Sequence, residues 1–298
     1  MIVILNTTSG SVSGDDRAAA AVDKALKGAG VTAELWRAGD GNALPKLVQK
    51  ALAAPDETIV GAGGDGTINA VASALVDTSK RLGVLPMGTL NHFAKDLGLP
   101  LTLDAAVQTL VTGEERRVDV GEVNGHVFIN NSSIGLYPRV VRHREAQRQQ
   151  LGRGKWPAFA WAVLSALHVC PSLRLRLVVD GQAKRVRTPF LFVGNNAYRM
   201  NILRIGERDH LDQGVLSVYH ARNSSRRGLI ALALRSLLGR VEQADNFEAL
   251  STPELRVELR RRAIDVSVDG EVICLTSPLV YRIRPRALRV IGPAGGGK

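Results

Sequence analysis

Up to about residue 115 the chain alternates short apolar runs with longer segments whose apolar positions recur at helical spacing. Ile2–Leu5 reads as a strand, followed by the loop Asn6–Gly14. A helix opens at Asp15 and Asp16, where negative charge suits the positive helix end, and closes near Gly28 and Gly30. Val31–Trp36 is a second strand, and Ala43–Ala54 a helix with Leu44, Val48 and Leu52 four apart. Thr58–Gly61, the third strand, runs through Gly63–Thr67 into a helix that reaches Leu75. Leu82–Leu85, the fourth, leads through Met87–Asn91 into another helical stretch. Strand and helix in alternation predict a parallel sheet covered by helices.

After Arg117 the period falls to two. Val118–Val123 and His126–Asn130 flank Asn124-Gly125, a favoured hairpin turn. Leu173, Leu175, Leu177 and Val179 alternate with Arg174 and Arg176 ahead of Asp180-Gly181. Leu255, Val257 and Leu259 alternate again, and Ile264, Val266 and Val268 lead through Asp269-Gly270 into Glu271–Leu275. These are half-buried antiparallel strands. The fold class is therefore α/β followed by a mainly β domain, interrupted by helical inserts near 137–170 and 225–243. The boundary falls at 118/119, and residues 293–298 read as a disordered tail.

The 298-residue length fits two domains, and 45% hydrophobic residues supply two cores. Cys170 and Cys274 are the two cysteines, too few and too far apart for a disulfide framework, and a reducing cytoplasm fits best. The longest apolar stretch, Pro157 to Cys170, is shorter than the ~20 residues a spanning helix needs. The net charge of +11 is uneven: residues 1–118 carry −2 and residues 119–298 carry +13. Part of that excess sits in two basic clusters. Arg142, Arg144, Arg148, Arg153 and Lys155 form one; Arg222, Arg226, Arg227, Arg235 and Arg240 surround leucines in the other. A basic surface beside leucines points to peripheral contact with an anionic membrane. With 4% aromatic residues and no recognition motif, nucleic acid is not an expected partner.

Candidate chemistry concentrates in two loops. Gly61-Ala62-Gly63-Gly64-Asp65-Gly66-Thr67-Ile68-Asn69 joins a strand to a helix, so backbone N–H groups converge beside a positive helix end. Its glycines let phosphate oxygens reach the backbone. Asp65 sets a carboxylate among those phosphates, which makes sense only with a metal or an acceptor hydroxyl as its partner. The spacing Gly61-x-Gly63-x-x-Gly66 also matches a dinucleotide fingerprint, but the next strand runs into Pro86-Met87-Gly88 where an acidic residue would be needed. The second loop, Leu85-Pro86-Met87-Gly88-Thr89-Leu90-Asn91-His92-Phe93-Ala94, stands at the following strand-to-helix junction and faces the same sheet edge.

Together these loops resemble the diacylglycerol kinase catalytic-domain family, which includes sphingosine and ceramide kinases and bacterial lipid kinases. Asn6-Thr7-Thr8-Ser9-Gly10 resembles its opening phosphate loop and Val268-Asp269-Gly270-Glu271 its late Asp-Gly-Glu. Gly194-Asn195-Asn196 and Leu211–Leu216 resemble elements between them. The resemblance implies an ATP-binding α/β domain over residues 1–118, a lipid-substrate β-sandwich over 119–292, and a cleft for ATP and lipid. ATP and magnesium are the implied cofactors, with phosphoryl transfer to a lipid hydroxyl. By the same resemblance Asn6, Ser9, Gly63, Gly64, Asp65, Gly66, Thr67, Asn69, Gly88, Thr89 and Asn91 hold the nucleotide. Asp65 orients magnesium or acceptor, and Glu271 is the general base.

Three positions depart from the family pattern. His92 replaces an Asp, Leu35-Trp36 replaces a region that often holds a Thr beside the nucleotide, and Gln213 replaces the second Asp of Asp-Asp-Gly. The last belongs to a second magnesium site that would also use His210 and Val215, and a neutral Gln predicts that site to be weak or empty. Two alternatives stand beside the kinase: a non-catalytic lipid-binding or regulatory protein on the same fold, and an NAD kinase-like enzyme.

Overall fold

The computed structural model describes residues 1–6, 15–39, 43–135, 173–198, 208, 210–221 and 247–295. The helical inserts, both basic clusters, Ser9 and residues 296–298 of the expected tail lie outside the described residues. The chain forms two compact units: Met1–Val120, Gly206–Gly214 and Arg284–Lys298 in the first, Gly121–Ile205 and Val215–Ile283 in the second.

In unit 1, strands β1 (Ile2–Asn6), β2 (Glu34–Ala38), β3 (Thr58–Gly63) and β4 (Arg81–Pro86) form a parallel sheet in the order β2-β1-β3-β4. The helices are α1 (Asp15–Gly28), α2 (Ala43–Ala53), α3 (Asp65–Leu75), α4 (His92–Asp96) and α5 (Leu103–Thr112). Helix α1 packs beside α5, and α2 beside α3. Every residue of β3 is buried, as expected for a parallel strand covered on both faces. Val3, Leu5, Val60, Ala62 and Leu85 of the sheet meet Val22 and Leu26 of α1 and Val107 of α5. Strand β2 starts later than the apolar run predicts, because Val31 helps close α1 by donating its N–H to the Leu26 carbonyl at 2.9 Å. Helix α5 has no counterpart in the periodicity reading.

Unit 2 is built from two antiparallel sheets. The first uses β7 (Asn131–Gly135), β10 (Phe190–Asn195), β11 (Leu216–Ala221), β12 (Phe247–Thr252), β14 (Ala263–Val268) and β15 (Glu271–Thr276), in the order β12-β11-β10-β7-β14-β15. The second holds β8 (Leu173–Val179), β9 (Gln182–Thr188), β13 (Glu254–Leu259) and the start of β16 (Leu279–Gly292), in the order β16-β13-β8-β9. Strand β5 (Glu114–Val123) forms a hairpin with β6 (His126–Phe128). Leu175, Leu177, Leu255 and Val257 of one sheet share a core with Leu191, Val193, Val218 and Val266 of the other. Tyr281 is fully buried there, burial pushes its phenol pKa up, and its hydroxyl lies 3.3 Å from that of Ser132. The predicted turns Asn124-Gly125, Asp180-Gly181 and Asp269-Gly270 all have positive φ at both residues, the geometry that matches strand twist in a two-residue hairpin.

The units are not contiguous in sequence. Strand β5 crosses the expected boundary at residue 118, and the chain re-enters unit 1 twice, at 206–214 and from 284 onward. The second return follows from strand pairing. Arg289 and Val290 of β16 add in parallel to Arg81 and Leu82 of β4, covering an edge that would otherwise present free N–H and C=O groups. Residues 284–292, which the sequence reading assigns to the β domain, therefore complete the α/β sheet.

Candidate active site

The order β2-β1-β3-β4 reverses direction between β1 and β3, and open α/β sheets bind ligands beyond the carboxyl ends of strands at such a point. Asn6 ends β1, one residue past Leu5, which is paired with Ala62; Gly63 ends β3. Both residues therefore stand at the switch point.

From Gly63 the chain turns at Gly64 into α3, and among the described residues no side chain caps that helix. The Thr67 N–H donates to the Gly64 carbonyl at 3.0 Å, so the N–H groups of Asp65 and Gly66 are those left for another acceptor. Gly66 is exposed, with open space where a Cβ would stand. Thr67 is 2% exposed, and its hydroxyl has no hydrogen-bond partner among the described residues. A Cβ on Gly63 would lie 2.6 Å from that hydroxyl, so glycine is what lets strand and helix approach so closely. Asn69 sits one turn on, its amide oxygen accepting from Ser73 at 3.3 Å.

The second loop is tied to the first at several points. Met87 donates its N–H to the Gly63 carbonyl at 2.9 Å. A Cβ on Gly88 would meet the Gly64 Cα at 2.6 Å, so the two loops touch backbone to backbone. Asn91, buried with φ of 50°, closes the turn: its Oδ1 accepts from Gly88 N–H at 3.0 Å and its Nδ2 donates to the Gly88 carbonyl at 2.9 Å. Asp65 completes the connection. One carboxylate oxygen accepts the Asn91 N–H at 3.0 Å and the other the His92 N–H at 2.7 Å. The carboxylate of α3 therefore caps α4, whose own N-cap residue makes no side-chain cap. This corrects the expectation that metal or acceptor are the only partners open to Asp65. Thr89 and Leu90, at the tip of the loop, are exposed.

Helix α4 is anchored at its other end by a buried ion pair. Asp96 accepts the backbone N–H of Arg208 at 3.1 Å, its Nε at 2.8 Å and its Nη2 at 2.6 Å, and both side chains are sealed from solvent. Burial raises the Asp96 carboxyl above its usual range, and the Arg208 guanidinium opposes that rise. Nearby, Asp119 is fully buried and accepts N–H groups from Gly214 at 2.7 Å and Arg286 at 2.8 Å. Asp119 thus holds the segment that carries Gln213. His210 and Gln213 are exposed in unit 1, whereas Val215 belongs to unit 2, where its carbonyl accepts the Asn196 N–H at 3.0 Å. No cluster of three His, Cys, Asp or Glu side chains suited to a metal occurs among the described residues.

In unit 2, Glu271 follows the Asp269-Gly270 turn and is exposed. Asp269 fixes that turn by accepting backbone N–H groups from Ile129 at 2.8 Å, Asn130 at 2.9 Å and Asn131 at 2.8 Å. The sequence reading missed the anchoring by Asp96, Asp119 and Asp269. Only Asp119 leaves a sequence signal, a carboxylate between Val118 and Val120 in an apolar strand.

Two family models match the chain, the diacylglycerol kinase catalytic domain over residues 1–123 and the YegS C-terminal NAD kinase beta sandwich-like domain over residues 132–292. A protein of Pseudomonas syringae named probable lipid kinase YegS-like is 33% identical over 264 residues, covering 87% of this chain and 82% of its own. The chain belongs to the YegS-like lipid kinase family. A second relative of the same name, from Chromohalobacter salexigens, is 28% identical over 265 residues, with 87% and 83% covered. A diacylglycerol kinase structure from Bacillus anthracis superimposes with a TM-score of 0.73 at 20% identity, over 98% of this chain and 96% of the other. That likeness shows the same fold.

Proposed function

We propose that this protein is an ATP-dependent lipid kinase that transfers the γ-phosphoryl group of magnesium ATP to a lipid hydroxyl, diacylglycerol-like, sphingoid or related. The observation that carries the reading is the stapled loop pair at the switch point, with an uncapped helix start and an unpartnered, buried Thr67 hydroxyl. These features suit an anionic phosphate chain, which accepts N–H and O–H donors and needs close backbone approach. Bound ATP supplies the phosphoryl group and its magnesium the neutralising charge.

The N–H groups at the start of α3 and the Thr67 hydroxyl bind phosphate oxygens, with Asn6 and Ser9 contributing from the first loop. Asp65 holds the Gly88–Asn91 turn against Gly63–Gly64, so that Thr89 meets the same phosphates. Glu271, set by the Asp269 turn, takes the proton from the lipid hydroxyl as it attacks. Such positioning and charge neutralisation are most of what phosphoryl transfer asks of a protein.

The test is incubation with γ-phosphate-labelled ATP, magnesium and a total lipid extract, with the product identified by mass. Label in a lipid phosphate is the expected result. ATP turnover that leaves every lipid unlabelled would overturn the reading.

A further inference from the structure

The outward face of the β13-β8-β9 sheet in unit 2 is strongly cationic, and its charge is arranged against the sheet's own stability. Register sets Arg174 directly opposite Arg187 and Arg176 directly opposite Arg185. Directly opposed residues of an antiparallel pair share one face with Cα atoms roughly 5 Å apart, and like charges there destabilise the pair. All four side chains are exposed. Arg256 on β13 adds a fifth, and Glu258 is shared between Arg176 at 3.0 Å and Arg256 at 3.1 Å. Among the described residues, neither Arg174 nor Arg185 has a carboxylate partner. Charged side chains on an edge strand discourage pairing with another chain, and β9 is such an edge. That accounts for Arg185 and Arg187. Arg176 is met by Glu258 across the β13–β8 pair, but Arg174 stands on β8 inside the edge and opposite Arg187, with no carboxylate among the described residues to relieve the repulsion.

We propose that this face docks unit 2 onto an anionic lipid bilayer, its guanidinium groups meeting lipid phosphates. The choice of partner rests on the lipid-kinase reading, because a substrate held in a membrane must be reached at the membrane surface. Charge geometry supports it. The arginines spread over three strands, roughly 5 Å apart across the sheet and roughly 7 Å along it, a two-dimensional array suited to a plane of headgroups. A nucleic-acid duplex presents rows of phosphates flanking a groove, which a helix or ribbon enters, and a broad sheet face offers neither. No aromatic side chain stands at the outward positions of β8, β9 or β13 to stack on bases.

The test compares Arg174→Gln/Arg185→Gln with the unaltered protein in flotation on vesicles of phosphatidylcholine, with and without phosphatidylglycerol. Each cation near an anionic surface is worth ~5-fold in partitioning, so the double variant should lose ~30-fold on the anionic vesicles. The unaltered protein should release as salt rises, and the variant's melting temperature should hold or increase as like-charge repulsion is relieved. Lys24→Gln/Arg37→Gln, exposed positions of unit 1 with the same loss of charge, should bind as the unaltered protein does. Equal loss in both double variants would mean that net charge alone acts, and would overturn the proposal. So would undiminished binding of Arg174→Gln/Arg185→Gln, or a loss of duplex-DNA binding with vesicle binding kept. Transfer into detergent-dispersed lipid separates the two readings. Vesicle binding as described without any transfer upholds the docking face and defeats the kinase reading; normal transfer with an inert face does the reverse.

Discussion

A carboxylate that accepts two backbone N–H groups cannot be replaced by its amide without turning one acceptor into a donor. Asp65→Asn therefore keeps at most one of the bonds to Asn91 and His92 and sets an NH2 group against the other donor. The expected outcome is faster hydrogen exchange at those two amides and a fall in transfer of ~10²-fold, the scale of a displaced substrate-positioning group. Lost transfer with unchanged exchange would move Asp65 from loop positioning to the reacting atoms. Glu271→Gln removes an exposed carboxylate with little structural consequence. Loss of the proposed general base should cost ~10²–10⁴ in turnover with the KM for ATP little changed. A raised KM with normal turnover at saturation would make Glu271 a nucleotide contact instead.

At the scale of elements, α4 is a five-residue helix held at both ends by carboxylates, Asp65 at its start and Asp96 at its finish. Arg208→Ala would leave the Asp96 carboxylate buried without its cation, a change that costs about 3–5 kcal/mol. Because burial raises the Asp96 pKa, the folded state holds that proton more tightly than the unfolded chain. The stability this contributes is full at pH below the usual carboxylate range and is lost as pH rises through the raised value. With Arg208 gone the rise grows. Urea denaturation should therefore find Arg208→Ala least destabilised in acid and most destabilised near neutrality. A penalty independent of pH would assign the loss to packing.

At the scale of the whole molecule, the return of 206–214 to unit 1 bears on the second magnesium site. Asp119 already spends its oxygens on Gly214 and Arg286, so the segment is held by protein hydrogen bonds, and Gln213 brings no charge. Magnesium favours one or two carboxylates among its oxygen ligands and keeps much of its water. Without nucleotide, magnesium is expected to leave the melting temperature of the protein unchanged. In Gln213→Asp it should raise it, since a ligand that binds only the folded state stabilises that state. Chelation should abolish transfer in both proteins, because the proposed mechanism assigns a separate metal ion to the ATP phosphates. A magnesium-dependent rise without the substitution would show that Gln213 suffices as a ligand.

Much of the architecture is written locally. Period 3.6 gives way to period 2 near Arg117, three hairpins sit where Asn-Gly or Asp-Gly predicts them, and both glycine loops fall at strand-to-helix junctions. Such features depend on neighbours within a few residues, so the sequence alone determined the fold class, the turns and the glycine-loop motifs. The tertiary structure decided what those motifs hold. Asp65 finds its donors 26 and 27 residues away, and Asp269 finds its three between 138 and 140 residues away. Strand β16 leaves the β domain to complete a parallel sheet begun at residue 2, and register sets which arginines stand opposite one another. A hydrogen bond or strand pairing between distant residues leaves no period in the chain, and only folding brings its partners together.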